Sequence, residues 1–156
     1  MLWSDLQTID IEYAAGRTGT TKFSIYEGRP LRFQIPKGRV LYNGLSEFKS
    51  ITIDMPPEFT HWWRNVFETA VASGLEPFNS NVYRDGSFRV KVDKSTQIFS
   101  PERQIQFPEL NEGLFRNENV TCIIEVVGTY FFKETFGLTC RAHQILIAAT
   151  QNAVEN

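Results

Sequence analysis

The sequence predicts a mainly β fold, a small closed barrel with one inserted α-helix and additional strands, and three features lead to it. Residues 119–148, NVTCIIEVVGTYFFKETFGLTCRAHQILIA, read as two long strands joined at Lys133-Glu134-Thr135. Both arms are rich in Val, Ile, Thr, Phe and Tyr, and the break between them is short and polar, as a hairpin requires. Asp85-Gly86 lies between two alternating runs, the strongest short hairpin signal in the chain. A single helical pattern falls between strand patterns, an order that suits a closed barrel with an inserted helix better than a sandwich.

Taken from the N-terminus, residues 1–20 read as an arm. Leu6, Ile9, Ile11 and Tyr13 suit a short strand or a segment that packs on a neighbour, and Ala14 to Gly19 a loop. From Thr21 the alternation sharpens, with Phe23 and Ile25 inward and Lys22, Ser24 and Tyr26 outward. After the Glu27-Gly28-Arg29-Pro30 turn, Leu31, Phe33 and Ile35 repeat the inward pattern, with Arg32 and Gln34 outside. Arg39 to Tyr42 makes a third strand, and Phe48 to Asp54 a further one with Ile51 and Ile53 inward. Pro56-Pro57-Glu58 opens the helix, Glu58 to Ser73, and Gly74 ends it.

Phe59, Trp62, Trp63, Val66, Phe67, Ala70 and Val71 fall at helical spacing and give the helix a broad apolar face. A helix covering an open end of the sheet accounts for Trp62 and Trp63; base stacking is the alternative for either ring. In a two-residue Asp85-Gly86 turn, Arg84 pairs with Ser87 and Val82 with Arg89. Phe88, Val90 and Val92 then face the core, while Arg84, Arg89 and Lys91 share the outer face with Lys94 just beyond. Thr96 to Phe99 continues the strand, Pro101 to Arg116 is mostly loop, and 151–156 is a polar tail.

The long hairpin separates two faces. A turn centred near Glu134 pairs Val120 with Ala148, Cys122 with Leu146, Ile124 with Gln144, Val126 with Ala142, Gly128 with Cys140 and Tyr130 with Leu138. That face is the core face. The other pairs Glu125 with His143, Val127 with Arg141 and Thr129 with Thr139, with Phe131 near the tip. It is the working surface.

Composition bounds the function. The chain of 156 residues suits one domain, 21–150, and 42% hydrophobic with 22% charged residues excludes wholesale disorder. A net charge of −2 argues against coating duplex DNA by bulk positive charge and leaves a local basic groove open. Cys122 and Cys140 are not opposite each other in this register, so small buried thiols without a disulfide are expected. No signal peptide and no apolar run of membrane-spanning length is found, which points to an intracellular protein without a membrane partner.

A search for chemistry finds little. His61 and His143 have no partners at metal-ligand spacing, and no nucleophile elbow, Walker loop or dinucleotide fingerprint is present. No enzyme activity, metal or cofactor is expected. What remains is a β surface of rings and cations: Phe131, Arg141 and His143 on one hairpin, and Arg84, Arg89 and Lys91 on another. Single-stranded nucleic acid asks for that combination, since bases stack on aromatic faces while Lys and Arg track phosphates. A solvated sheet face carries similar charges.

The segment Ser87 to Ile147 resembles the OB-fold single-stranded DNA-binding proteins of phages and large DNA viruses. Phe88-Arg89-Val90-Lys91-Val92, Gln97-Ile98-Phe99 and Val120 to Glu125 carry the resemblance, with Gly128-Thr129-Tyr130-Phe131-Phe132 and Phe136 to Ile145 after them. The resemblance implies an OB-like Greek-key barrel that binds unpaired strands without reading sequence, during replication, recombination or repair. Arg84, Arg89, Lys91, Lys94, Lys133 and Arg141 are then expected to contact phosphate. Phe131 is expected to stack, with Tyr130 or His143 as a second platform. The alternatives are an RNA-binding OB domain and a β-barrel scaffold that forms a homo-oligomer through the N-terminal arm.

Overall fold

A computed structural model describes residues 1–16, 22–43, 49–106, 115 and 117–148. Phe48, the end of the Ala14–Gly19 loop, most of 107–116 and the 151–156 tail lie outside the described residues. The strands are β1 (Glu12–Ala15), β2 (Lys22–Tyr26), β3 (Arg29–Gln34), β4 (Gly38–Asn43), β5 (Ser50–Asp54) and β6 (Phe78–Asn79). They continue as β7 (Ser87–Lys91), β8 (Gln97–Phe99), β9 (Gln104–Ile105), β10 (Asn119–Phe132) and β11 (Thr135–Ile147).

A closed ring runs β4–β5–β7–β11–β10 and back to β4. Every contact in it is antiparallel except that of β7 with β11, which is parallel at Arg141 opposite Lys91. Outside the ring, β3 pairs with β10, β2 and β1 extend beyond it, and β6, β8 and β9 add to the β11 side. This is the predicted OB-like barrel with additional strands, and the helix is inserted between β5 and β7 as expected.

The interior follows from side-chain alternation. Leu31, Phe33 and Ile35, then Ile51 and Ile53, then Phe88, Val90 and Val92, are all buried as the two-residue period requires. The helix α1 spans 57–71, with Pro57 at its first position and the Pro56 carbonyl accepting from the Phe59 and Thr60 amides. Phe59, Trp63, Phe67 and Val71 form its buried row. Trp63–Phe67 is a π-turn, and Val66, expected on the apolar face, is 43% exposed because only that narrow row meets the sheet. The Trp63 indole donates to Glu68 at 2.8 Å, and Glu68 also accepts from the Ser80 hydroxyl at 2.7 Å, tying the helix to the segment before β7.

An aromatic cluster joins helix to barrel. Trp63 lies 4.6 Å from both Phe67 and Phe88, and Phe33 reaches Trp62 and Phe67 at 5.9 and 5.6 Å. Each such ring contributes roughly 1.5–3 kcal/mol by burial. Trp62 is partly buried and packs against the core cluster, with Trp3 5.1 Å away. The N-terminal residues pack on the barrel through Trp3, Leu6 and Ile11, in 3-10 turns at Trp3–Asp5 and Thr8–Asp10 followed by β1. Ile9 points to solvent.

Three local expectations are corrected. In β2, Ser24 and Tyr26 are buried, while Phe23 and Ile25 are half-buried. The N-terminal segment sets this sense: the Gln7 amide donates to the Tyr26 hydroxyl at 3.3 Å. The Asp85-Gly86 hairpin has a three-residue loop, Arg84–Gly86, in which the Gly86 amide donates to Tyr83 and Gly86 has φ 88°. Val82 therefore faces Phe88, one residue away from the two-residue register. Asp85 locks the loop by accepting from the Ser87 amide and hydroxyl.

The long hairpin turns at Lys133-Glu134, with Phe132 opposite Thr135, and carries two bulges. Val127 is the extra residue in β10 and His143 the extra residue in β11. Val120 consequently faces Ile147, Cys122 Ile145, Ile124 Ala142 and Val126 Cys140. Beyond His143 the inward residue is Ile145, and Leu146, expected in the core, is 45% exposed. Gly128, next to the first bulge, has the Lys22 carbonyl where a Cβ would stand, 1.9 Å away, so β2 can cross there only over glycine. Cys122 and Cys140 are buried free thiols, and burial pushes the Cys122 pKa up to about 12.

Lys133 and Glu134 both have positive φ, 50° and 63°. A left-handed conformation costs a non-glycine residue roughly 1 kcal/mol. Replacing the pair with Asn-Gly (K133N/E134G) should raise Tm by about 3 °C in a thermal melt. An unchanged or lower Tm would mean that the native side chains hold the turn.

Candidate nucleic-acid interface

The parallel contact between β7 and β11 brings the two predicted surfaces together. β7 buries Phe88 and Val90, so Arg89 and Lys91 point outward. Tyr130 of β10 lies opposite Gly137 of β11, and its ring occupies the space a side chain there would need, 2.4 Å from an ideal Cβ. Arg89, Lys91 and Tyr130, with Asn81, Leu138 and Thr139, line one groove of 280 Å³. It holds two exposed cations and a ring laid over a glycine.

The hairpin tip stands beside this groove in the chain. Phe131 is 52% exposed and rests against Phe136 at 4.7 Å. Phe132 is 64% exposed, and the Lys133 ammonium lies 5.4 Å above its ring. Sequence reading selected Phe131 and Lys133 and passed over Phe132, although its place next to a two-residue turn, where core burial ends, was the available signal. Arg84 and Lys94 are exposed in the turns before and after β7, so they flank the strand at its two ends.

Arg141 is placed differently from the expectation of a cation open to solvent. It lies opposite Glu125, and its guanidinium meets that carboxylate at 3.4 Å through Nε and 3.5 Å through Nη2. Its Nη1 also donates to the Ser95 hydroxyl at 2.6 Å and lies 3.5 Å from Asp93. Arg32, opposite Glu125 on the other side, donates from Nε to the same carboxylate at 2.7 Å. Burial would raise the Asp93 pKa, but the Ser95 hydrogen bonds and the charges of Arg141 and Lys91 outweigh it and hold the carboxyl below its usual value.

His143, expected opposite Glu125, is the bulged residue. Its Nδ1 is sealed from solvent without a hydrogen-bond partner, while the rest of the ring is half-exposed. Burial lowers its pKa, the charges of Arg32 and Arg141 lower it further, and Glu125 opposes them. Among the described residues no group of three His, Cys, Asp or Glu side chains is arranged to hold a metal ion. No helix there is long and apolar enough to cross a membrane.

The same fold occurs in the solved structure of the single-stranded DNA-binding protein from bacteriophage Enc34. It is 12% identical to this chain, with a TM-score of 0.56 over 88% of each chain. A C-terminal truncation of that phage protein is 10% identical, with a TM-score of 0.52 over 93% of this chain and 98% of that one. No protein-family model and no curated protein sequence matches the chain.

The depressed His143 pKa has a consequence for stability. Between the folded-state pKa and the ordinary value of about 6.5, the unfolded chain binds the proton that the folded one refuses. Stability should therefore fall as pH drops below about 6.5, until the folded-state pKa is passed. Denaturant melts from pH 7.5 to 5.5 should show a smaller decline in His143→Gln than in the native chain. Parallel declines would mean that His143 is not the group responsible.

Proposed function

We propose that this chain binds single-stranded DNA without reading its sequence, coating and protecting unpaired strands during replication, recombination or repair. The observation that carries the reading is the groove in which Arg89, Lys91 and Tyr130 meet on the outside of an OB-like barrel. Backbone phosphates would run along Arg89 and Lys91, with Arg84, Lys94 and Lys133 extending the track. A base would stack on Tyr130, and others on Phe131 and Phe132 at the tip. The likeness to the phage protein supports the same reading, since that protein is a single-stranded DNA-binding protein built on this fold.

Binding of this kind needs no catalytic group and no cofactor. Residues 21–150 would form the binding domain, and residues 1–20 an arm through which copies of the chain associate. For that arm, exposed Leu2, Ile9 and Tyr13 and the edge position of β1 are the support. RNA is the neighbouring alternative, distinguished by contacts to the 2′-hydroxyl.

A fluorescent oligo-dT should bind more tightly than the matching duplex at low salt. Its log affinity should fall against log salt with a slope of about −0.7 per phosphate held, about −3.5 for those five cations. Equal affinity for duplex would end the proposal. Phe131→Ala should weaken binding by about 1–3 kcal/mol while Tm stays nearly constant; a large loss of Tm would instead assign the ring to the core.

A further inference from the structure

Strand register places four charged residues in one row across the outer face: Arg32 on β3, Glu125 on β10, Arg141 on β11 and Lys91 on β7. Glu125 is the single acid of that row. Its two oxygens are shared by two guanidinium groups, Arg32 at 2.7 Å and Arg141 at 3.4 and 3.5 Å. Planar guanidinium forks recognise carboxylates and phosphates through the same pairing of N–H groups with two oxygens. Lys91, next in the row, belongs to the groove with Arg89 and Tyr130. Glu125 also lines a mostly apolar cavity of 360 Å³ together with Phe23, Ile25, Arg29, Pro30 and Val127.

We propose that Arg32 and Arg141 form a phosphodiester site of the DNA path, and that Glu125 occupies it as an internal substitute for phosphate until a strand displaces it. This rests on the single-strand-binding reading and deepens it. In the free protein the carboxylate holds two arginines in register and offsets one of their two charges, while Asp93 stands 3.5 Å from Arg141. In the complex a backbone phosphate takes its place, the carboxylate turns to water, and the adjacent base meets the apolar wall of Phe23, Ile25 and Val127. Because every strand must compete with Glu125, the acid limits affinity and eases release. Arg32 escapes sequence inspection because its partner lies 93 residues away.

Glu125→Gln keeps the shape and removes the competing charge. With labelled oligo-dT, it should bind at least about tenfold more tightly than the native chain, and its salt slope should steepen by about 0.7–1.4, one or two further phosphates. Adding Arg32→Gln should abolish that gain. Unchanged or weaker binding by a Glu125→Gln protein of native Tm would overturn the inference. If Glu125→Gln lowers Tm, Arg32→Gln alone decides: weaker binding with a shallower slope supports the site, and native affinity refutes it. The native chain separates the two proposals, because oligo-dT retention with no effect of these variants removes only this one. Failure of the native chain to retain oligo-dT removes both.

Discussion

Closing the barrel through its one parallel contact sets Arg141 directly opposite Lys91. Like charges on neighbouring strands repel, and an arginine with 14% of its side chain exposed cannot rely on water to offset that. Asp93 and Glu125 answer it from either side, with Ser95 fixing one guanidinium nitrogen. These two carboxylates offset the paired cations where the ring closes. The groove of Arg89, Lys91 and Tyr130 exists only where β7 and β11 meet. Fold and candidate site thus share one electrostatic condition.

The opposite face of the same strands supplies rigidity. Phe88 and Val90 are buried, Phe88 against Phe59 and Trp63 of the inserted helix, which fixes the direction in which Arg89 and Lys91 leave the sheet. Tyr130 is held differently, its ring lying over Gly137 rather than inside a packed layer. Further along, Phe131 and Phe132 leave the barrel altogether on a two-residue turn of left-handed residues. The surface therefore grades from strand-fixed cations to rings at an exposed tip. Such a gradient suits a ligand with a regular charged backbone and loosely ordered bases.

Much of this was legible in the sequence wherever a strand keeps its two-residue period and one face meets the core. Leu31, Phe33 and Ile35, Ile51 and Ile53, and Phe88 to Val92 fall as the alternation demands. Legibility fails where a non-local partner decides. Tyr26 turns inward under the N-terminal segment, and Leu146 turns outward after a bulge that no composition rule marks. Among the site residues, Arg89 and Lys91 of β7 converge with Tyr130 of β10 because both strands pair with β11. The engagement of Arg141 depends on Asp93, and that of Glu125 on Arg32, through contacts that only tertiary register creates.

The bulge at His143 also bears on how such a strand changes length. The residues facing inward before it are Leu138, Cys140 and Ala142, and after it Ile145. Deleting that single histidine would restore strict alternation and leave the same four side chains in the interior, whereas a deletion elsewhere in β11 would throw one end out of phase. This strand can therefore lose or gain a residue at that one position with its inward set unchanged.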